Sequence, residues 1–246
     1  MSSRSDRSTA RIRRRSSRDK AHEALLKLAE EQPVRRQRRA DKIVKPLTKA
    51  QALYDQAITS NIITFSTGPA GAGKTWWAAM RAAKALDAGE IERIIITRPA
   101  VEAGEEMGFL PGELDEKYEP YFRPVRDALE EFLGSGPLEY HLKAKTIEAR
   151  PLAYLRGATL KNAFVILDEA QNTTPTQMKL FLTRIGEETK VVVDGDLTQK
   201  DINGVSGLED ALARLRNVPG VGFVTFSRED IVRSGICRDI CAAYDA

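Results

Sequence analysis

The stretch Gly68-Pro69-Ala70-Gly71-Ala72-Gly73-Lys74-Thr75 lies between an apolar run, residues 62–65, and a helix-forming run that begins at residue 76. A strand, a glycine-rich loop and a helix, in that order, form the context in which GxxxxGK[ST] indicates a phosphate-binding loop. The glycines let successive backbone N–H groups point inward, and the following helix adds the positive end of its dipole. The pattern predicts that Lys74 reaches the β- and γ-phosphates of a nucleotide and that Thr75 is a magnesium ligand.

A second motif, FVILDE at residues 164–169, places two acids directly after four apolar residues. Parallel strands end at one edge of their sheet, so Asp168 is expected close to the magnesium ion held by Thr75. Glu169 is then placed to polarise the water that attacks the γ-phosphate. Together the two motifs predict ATP hydrolysis with magnesium as the cofactor.

A third motif, VVVDGDLTQ at residues 191–199, predicts another strand that ends at the nucleotide edge. Gln199 could sense the γ-phosphate or orient the attacking water. GTP is the alternative nucleotide, because TQKD at residues 198–201 loosely resembles the guanine-reading [NT]KxD loop of GTPases. That loop lacks the lysine in second place and the acidic motif is DEAQ rather than DxxG, so the sequence favours ATP.

Apolar strands alternate with helical patterns along the body of the chain, which predicts an α/β fold with a parallel sheet covered by helices on both faces. About five strands are indicated, at residues 62–65, 94–96, 164–167, 190–193 and 221–226, and a short strand at 146–149 is left open. The predicted helices are 47–59, 75–88, 121–133, 176–185, 208–215 and 231–244. Residues 101–120, rich in Gly, Glu and Pro, are interpreted as a functional insertion.

The charge is divided unevenly along the chain. Residues 1–45 contain 15 Lys or Arg and 6 Asp or Glu, although the whole chain carries only +3. Because the first residues are almost devoid of apolar side chains, residues 1–44 are predicted to be a basic, largely disordered tail, and 45–246 the folded domain. Such a tail is either a solvated arm or a contact for nucleic acid.

No apolar run approaches the ~18 residues that cross a bilayer, so a soluble, cytoplasmic protein without membrane contact is expected. The spacing of Cys237 and Cys241 favours buried hydrophobic side chains over a disulfide. His22 and His141 lie far apart with no cysteine pair nearby, which argues against a zinc site.

Several further side chains are candidates for nucleotide contact. Gln51 and Tyr54 lie on the helix before the first strand, where they can fold over an adenine; a polar helix face with one core aromatic is the alternative. A guanidinium is suited to transition-state charge on a phosphoryl group. The arginines near predicted element ends are Arg98, Arg123, Arg156, Arg184 and Arg233, and position alone does not distinguish them.

Five further blocks identify a family: TRPAVEAGEEMGFLPGEL (97–114), PLAYLRGATL (151–160), FVILDEAQNTT (164–174), QMKLFLTRIG (177–186) and GDLTQKD (195–201). With the glycine-rich loop they closely resemble the PhoH-like, phosphate-starvation-inducible ATPases over residues 45–244. The resemblance implies a RecA-like core related to superfamily one helicases, ATP with magnesium, and a role in RNA metabolism. It therefore suggests RNA or single-stranded nucleic acid as a partner.

The resemblance also implies roles for individual residues. Gln51 falls on the adenine-reading position, Gln199 on the sensor position, and Arg233 on a candidate arginine finger. Asp168 and Glu169 fall on the metal and water positions. The phosphate-loop positions are Gly68, Pro69, Ala70, Gly71, Ala72, Gly73, Lys74 and Thr75. Asp194 adds a negative charge directly before the GD of the last block, and the sequence offers no account of it.

A translocating helicase of this class needs two RecA-like lobes, and the chain has room for one. We therefore expect a neighbouring copy to supply the second lobe in a ring, with a hexamer as the expected size and an arginine reaching across the interface. The alternative function is a nucleotide-dependent switch or assembly module that binds protein partners. A small-molecule kinase is less favoured, because no arginine-rich lid segment separates the later strands.

Overall fold

The structure, a computed structural model, describes residues 44–99 and 114–232. The predicted basic tail, most of the predicted insertion, Arg233 and nearly all of the predicted C-terminal helix lie outside these ranges, so those expectations stay predictions. In the described ranges, no helix has both the length and the apolar character needed to cross a bilayer.

Six helices and six strands form the described part of the chain. The helices are α1 (Lys49–Ser60), α2 (Lys74–Asp87), α3 (Leu114–Leu133), α4 (Ser135–Lys143), α5 (Pro175–Leu182) and α6 (Gly207–Arg214). The strands are β1 (Ile63–Thr67), β2 (Arg93–Arg98), β3 (Ile147–Pro151), β4 (Ala163–Leu167), β5 (Lys190–Gly195) and β6 (Val221–Thr225). Short 3₁₀ turns occupy Leu152–Leu155, Ala170–Asn172, Leu197–Gln199 and Arg228–Asp230.

The strands form one sheet in the order β3-β2-β4-β5-β1-β6, and every neighbouring pair is parallel. Successive side chains of a strand point to opposite faces. Ile94 and Val192 accordingly join a core beneath α1 to α4, whereas Ile95 and Val193 join a second core beneath α5 and α6. The predicted α/β class is confirmed: the sheet is parallel and helices cover both of its faces.

This strand order determines which loops meet at the C-terminal edge of the sheet. The glycine-rich loop leaves β1, and the paired acids follow β4, with β5 lying between these two strands. The end of β5 therefore lies between the two principal motifs, and the end of β2 lies on the far side of β4. Residues from four separate parts of the sequence thus converge on one edge.

The structure contains a helix, α4, that the sequence analysis did not predict. Gly134 does end α3, with φ of 84°, but α4 begins at the next residue. Pro137 lies in the first turn of α4, where a backbone N–H needs no helical partner. The side chain of Leu138 is fully buried. The Gly-Ser-Gly-Pro sequence at residues 134–137 therefore both ends α3 and begins α4.

Other boundaries also differ from the predictions. The strand left open at 146–149 exists, so the sheet has six strands rather than about five. Helix α3 begins at Leu114, so the last part of the predicted insertion is helical. Ile231 and Val232 are not helical, although the C-terminal helix was expected to begin there. Val232 instead donates its N–H to the Gly71 carbonyl, which holds it against the glycine-rich loop.

Candidate active site

The glycine-rich loop between β1 and α2 has a backbone that side chains would disturb. Gly68 has φ of 139°, and a Cβ there would lie 2.4 Å from the Phe226 carbonyl oxygen. Gly73 caps α2 in the left-handed region, with φ of 86°. Only glycine adopts these conformations without strain. The loop therefore presents the unpaired N–H groups of the α2 N-terminus towards the sheet edge, as an anion site requires.

Lys74 and Thr75 are the first two residues of helix α2, and their side chains have different partners. Lys74 is only 9% exposed, and its ammonium donates to the carbonyl oxygens of Gly68 at 2.6 Å and Pro69 at 2.9 Å. Thr75 donates its hydroxyl to Asp168 Oδ1 at 3.2 Å. The lysine thus closes the loop on itself, while the threonine connects it to the acidic motif.

Asp168 follows the buried strand β4 and is itself 5% exposed. Its Oδ1 accepts hydrogen bonds from Thr75 Oγ1 at 3.2 Å and from the Glu169 N–H at 3.1 Å. Its Oδ2 accepts from Arg98, from Nε at 3.1 Å and from Nη2 at 2.5 Å. Arg98 ends β2, the neighbour of β4, so the strand order brings this guanidinium to the acid.

Glu169 is exposed and has a left-handed backbone, with φ of 55° and ψ of 36°. A non-glycine residue in this region carries strain that commonly accompanies a functional position. Gln171, two residues later, is 1% exposed and donates through Nε2 to Glu169 Oε2 at 2.6 Å. The same Nε2 lies 3.3 Å from the Gln199 carbonyl, and the side-chain oxygen accepts the Asp196 N–H at 3.1 Å. One buried amide therefore connects the glutamate to the end of β5.

Asp196 organises the turn that follows β5. Its carboxylate accepts the Thr198 N–H at 3.0 Å and the Thr198 hydroxyl at 2.7 Å through Oδ1. Its Oδ2 accepts Gln199 Nε2 at 2.8 Å. The sensor candidate Gln199 is thus held at the edge of the sheet by the acid three residues before it.

These groups surround a cavity of about 370 Å³. It is lined by Ala70, Gly71, Gly73, Lys74, Thr75, Trp76, Arg98, Pro124, Asp168, Glu169, Gly195, Asp196 and Gln199. The donor set fits a magnesium-bound triphosphate. Thr75 and Asp168 offer adjacent hard oxygens, and magnesium commonly uses one or two protein oxygens together with waters and phosphates. The loop N–H groups and Lys74 supply the donors that phosphates need.

The family model of the PhoH-like proteins matches residues 43–245. This chain belongs to the PhoH-like protein family. It is 51% identical to Protein PhoH of Escherichia coli K12 over 200 residues, which are 80% of this chain and 56% of that protein. It is 48% identical to the PhoH-like protein of Bacillus subtilis over 206 residues, 83% of this chain and 65% of that protein. The chain therefore spans just over half to two thirds of the length of these relatives.

Among solved structures, the UvsW helicase of bacteriophage T4 has a TM-score of 0.47 and 14% identity, covering 76% of this chain and 61% of that one. That likeness is too remote to bear on function. The family match and the strand order of the sheet show that this PhoH-like chain has the fold of a P-loop NTPase.

In this PhoH-like chain, Gln51 lies beside the phosphate loop and is 3% exposed. Its Nε2 donates to the Ala72 carbonyl at 3.1 Å, and its side-chain oxygen accepts the Leu47 N–H at 2.8 Å. The adenine-reading role of Gln51 stays a prediction. Tyr54 is fully buried and donates its hydroxyl to Asp194. It therefore does not cover an adenine, and the core-aromatic alternative is correct for Tyr54.

Two residues of this PhoH-like site were not recognised from the sequence. Arg98 was one of five arginines near element ends, and only the pairing of β2 with β4 shows that it contacts Asp168. Gln171 is the last residue of DEAQ, two positions after Glu169, and an amide side chain so close to the acids was the available signal. Arg123 and Arg156 are exposed and do not line the cavity, and Arg233 lies outside the described residues.

Proposed function

We propose that this PhoH-like chain binds ATP with magnesium, hydrolyses it, and uses the hydrolysis to remodel RNA or single-stranded nucleic acid in the cytoplasm. The observation that carries the proposal is the convergence of two motifs at one edge of the sheet. Thr75 Oγ1 lies 3.2 Å from Asp168 Oδ1, although the two residues belong to different strand ends. A triphosphate-bound metal needs that pair of oxygens side by side.

The binding half of the mechanism belongs to the loop. Lys74 exchanges its bonds to the Gly68 and Pro69 carbonyls for bonds to phosphate oxygens, and the N–H groups at the start of α2 hold the same anion. Thr75 Oγ1 and Asp168 Oδ1 would hold magnesium, which would neutralise phosphate charge. Arg98 fixes Asp168 Oδ2, so this acid keeps one orientation.

The hydrolytic half belongs to Glu169 and Gln199. Gln171 donates to Glu169 Oε2, so we assign Oε1 as the oxygen that accepts the proton of the attacking water. Gln199 orients the water or senses the γ-phosphate from the turn after β5. Gln171 contacts both residues, which supports coordinated movement of the base and the sensor. Arg233 is proposed as the arginine finger.

The proposal for nucleic acid rests on charge. The basic segment 1–45 and the insertion at residues 101–120 are the proposed contacts, and phosphate contacts by the Lys and Arg side chains of segment 1–45 release counterions. The test measures ATP turnover of the full chain with and without single-stranded RNA, at low and high salt. Stimulation that disappears with salt is expected. A matched chain with Arg35, Arg36, Arg38 and Arg39 replaced by alanine should keep its basal turnover and lose most of the stimulation.

Two results would contradict parts of the proposal. Turnover that is unchanged by RNA at low salt would overturn the nucleic-acid role and favour a nucleotide-dependent switch that binds protein partners. An absence of turnover under all conditions, with ATP still bound, would overturn the hydrolase itself.

A further inference from the structure

The lining of the active-site cavity divides by chemistry and by element. Its acids and Arg98 come from the C-terminal ends of β2, β4 and β5. Its two apolar side chains larger than alanine, Trp76 and Pro124, come from α2 and α3. A nucleotide has the same division, because its triphosphate is charged and its base is flat and largely apolar. The side of the cavity that α2 and α3 contribute is therefore the side suited to a base.

Trp76 directly follows Thr75 in the first turn of α2. Successive side chains of a helix are rotated by about 100°, so the three at its start face different surroundings. Lys74 donates to the loop carbonyls and Thr75 to Asp168, whereas Trp76 donates to Glu131 on α3. A nucleotide whose phosphates lie at Lys74 and Thr75 therefore has an aromatic ring one residue away from its phosphate site.

The indole of Trp76 is held by contacts within the protein. Its Nε1 donates to Glu131 Oε2 at 3.1 Å. The ring centroid lies 5.1 Å from that of Phe132 and 5.8 Å from that of Trp77, at interplanar angles of 59° and 53°. Both neighbours are tilted, so neither of them stacks in parallel on a face of the indole. Trp76 is half-buried against the core and still lines the cavity, and a ring so fixed loses little entropy when a ligand stacks on it.

The other side chains considered for the base have different positions. Gln51 does not line the cavity, and its amide bonds to the Leu47 N–H and the Ala72 carbonyl. Tyr54 is fully buried. Among the aromatic side chains of the described ranges, Trp76 is the one that lines the cavity. It is therefore the described ring that a base in this cavity can reach.

We propose that Trp76 is the base-stacking residue of this site, so that the base of a bound nucleoside triphosphate lies against the indole on the side of α2 and α3. This inference rests on the nucleotide binding proposed above. A stack of two flat rings provides affinity without reading the edge of the base. Trp76 thus strengthens nucleotide binding, and discrimination between adenine and guanine depends on other groups.

The test is titration calorimetry of the full chain with two ligands in excess magnesium. One is a non-hydrolysable ATP analogue, and the other is tripolyphosphate, which has the charges but no base. Trp76→Leu keeps an apolar side chain and removes the aromatic ring. It should weaken binding of the analogue about five- to a hundredfold and leave the affinity for tripolyphosphate unchanged. Trp76→Phe, which retains a ring, should recover most of the lost affinity.

Tyr140→Leu is the matched control, because Tyr140 is an aromatic residue of α4 that is 68% exposed and does not line the cavity. It should bind both ligands as wild type does. An equal loss of affinity for both ligands in Trp76→Leu would show that Trp76 only supports the loop, and so would overturn the inference. An unchanged affinity for the analogue would overturn it as well. If wild type binds neither ligand, the proposed function itself fails.

Fluorescence provides a second readout, because Trp76 and Trp77 are the two tryptophans of the chain and Trp77 is only 2% exposed. In Trp77→Phe, the analogue should quench the emission of Trp76, whereas tripolyphosphate should leave it unchanged. Trp76→Phe should show no quenching with the analogue. If Trp77→Phe does not fold, the difference between wild type and Trp76→Phe isolates the signal of Trp76. Equal changes in emission with the two ligands would contradict stacking.

Discussion

At the scale of single residues, Asp168 divides its two oxygens between different tasks. Oδ2 is taken by the Arg98 guanidinium, whereas Oδ1 faces the Thr75 hydroxyl. A carboxylate held on one side by a forked cation has a defined orientation. The oxygen next to Thr75 is therefore presented in a fixed position, as a metal ligand needs to be.

Lys74 and Glu169 are expected to separate binding from chemistry. Lys74→Ala removes the only charged donor of the loop itself and should weaken ATP binding by about a hundredfold or more. Glu169→Gln keeps the shape of the side chain and its contact with Gln171 but removes the base, so binding should persist while turnover falls about 10²- to 10⁴-fold. Binding of a fluorescent ATP analogue and phosphate release measure the two effects. An equal loss of binding in both variants would mean that Glu169 is misassigned.

At the scale of elements, helix α1 is held by groups that are distant in the sequence. Its start is capped by the Thr48 hydroxyl, which accepts the Gln51 N–H. Its end is held by Lys190 at the start of β5, whose ammonium donates to the carbonyl oxygens of Ile58, Thr59 and Asn61. Since α1 contacts the phosphate loop, the position of the loop depends on both ends of this helix.

Lys190→Met should therefore destabilise the protein by roughly 2 kcal/mol, because a cation at a helix C-terminus is lost and three carbonyls lose a charged donor. The methionine retains the apolar stem, so packing is preserved. Urea unfolding followed by circular dichroism measures the change. Lys179→Met is the control, because Lys179 is an exposed lysine in the last turn of α5 and should cost well under 1 kcal/mol. Equal effects of the two substitutions would contradict the capping role.

At the scale of the whole molecule, the described residues form one sheet, and the candidate site lies at the C-terminal edge of its strands. A motor that moves along nucleic acid needs two lobes that open and close, so we propose that a second copy supplies the other lobe. The finger Arg233 would then act across the interface, only one residue beyond Val232, which contacts the loop through Gly71.

The full chain should accordingly form a ring, with a hexamer as the expected size, when magnesium and the non-hydrolysable ATP analogue are present. Light scattering after size exclusion measures the mass with and without nucleotide. Arg233→Ala should keep nucleotide binding and lose turnover, since a guanidinium supplied to the transition state does not contribute to the ground-state site. A mass of one chain in the presence of the analogue would contradict the ring.

Much of the fold could be predicted because its signals are local. Continuous apolar runs predict buried parallel strands, and strands alternating with helical periodicity predict a sheet with two covered faces. The glycine-rich loop was also predictable, because its conformation depends on glycine at Gly68 and Gly73. Helix α4 was not predicted, since a glycine that ends one helix does not reveal whether the next begins at once. The predicted start of α3 at residue 121 was also wrong, because this helix begins at Leu114.

The sequence by itself determined the α/β class, the phosphate loop and the pair of acids, because each depends on residues that are neighbours in the chain. Only the tertiary structure decided that Arg98 contacts Asp168 and that Gln171 connects Glu169 to Gln199. It also decided that the hydroxyl groups of Tyr54 and Ser66 donate to Asp194. These contacts depend on strand order, and the sequence motifs do not specify which strand lies beside which. The chemistry of the site is thus encoded locally, whereas its electrostatics arise from packing.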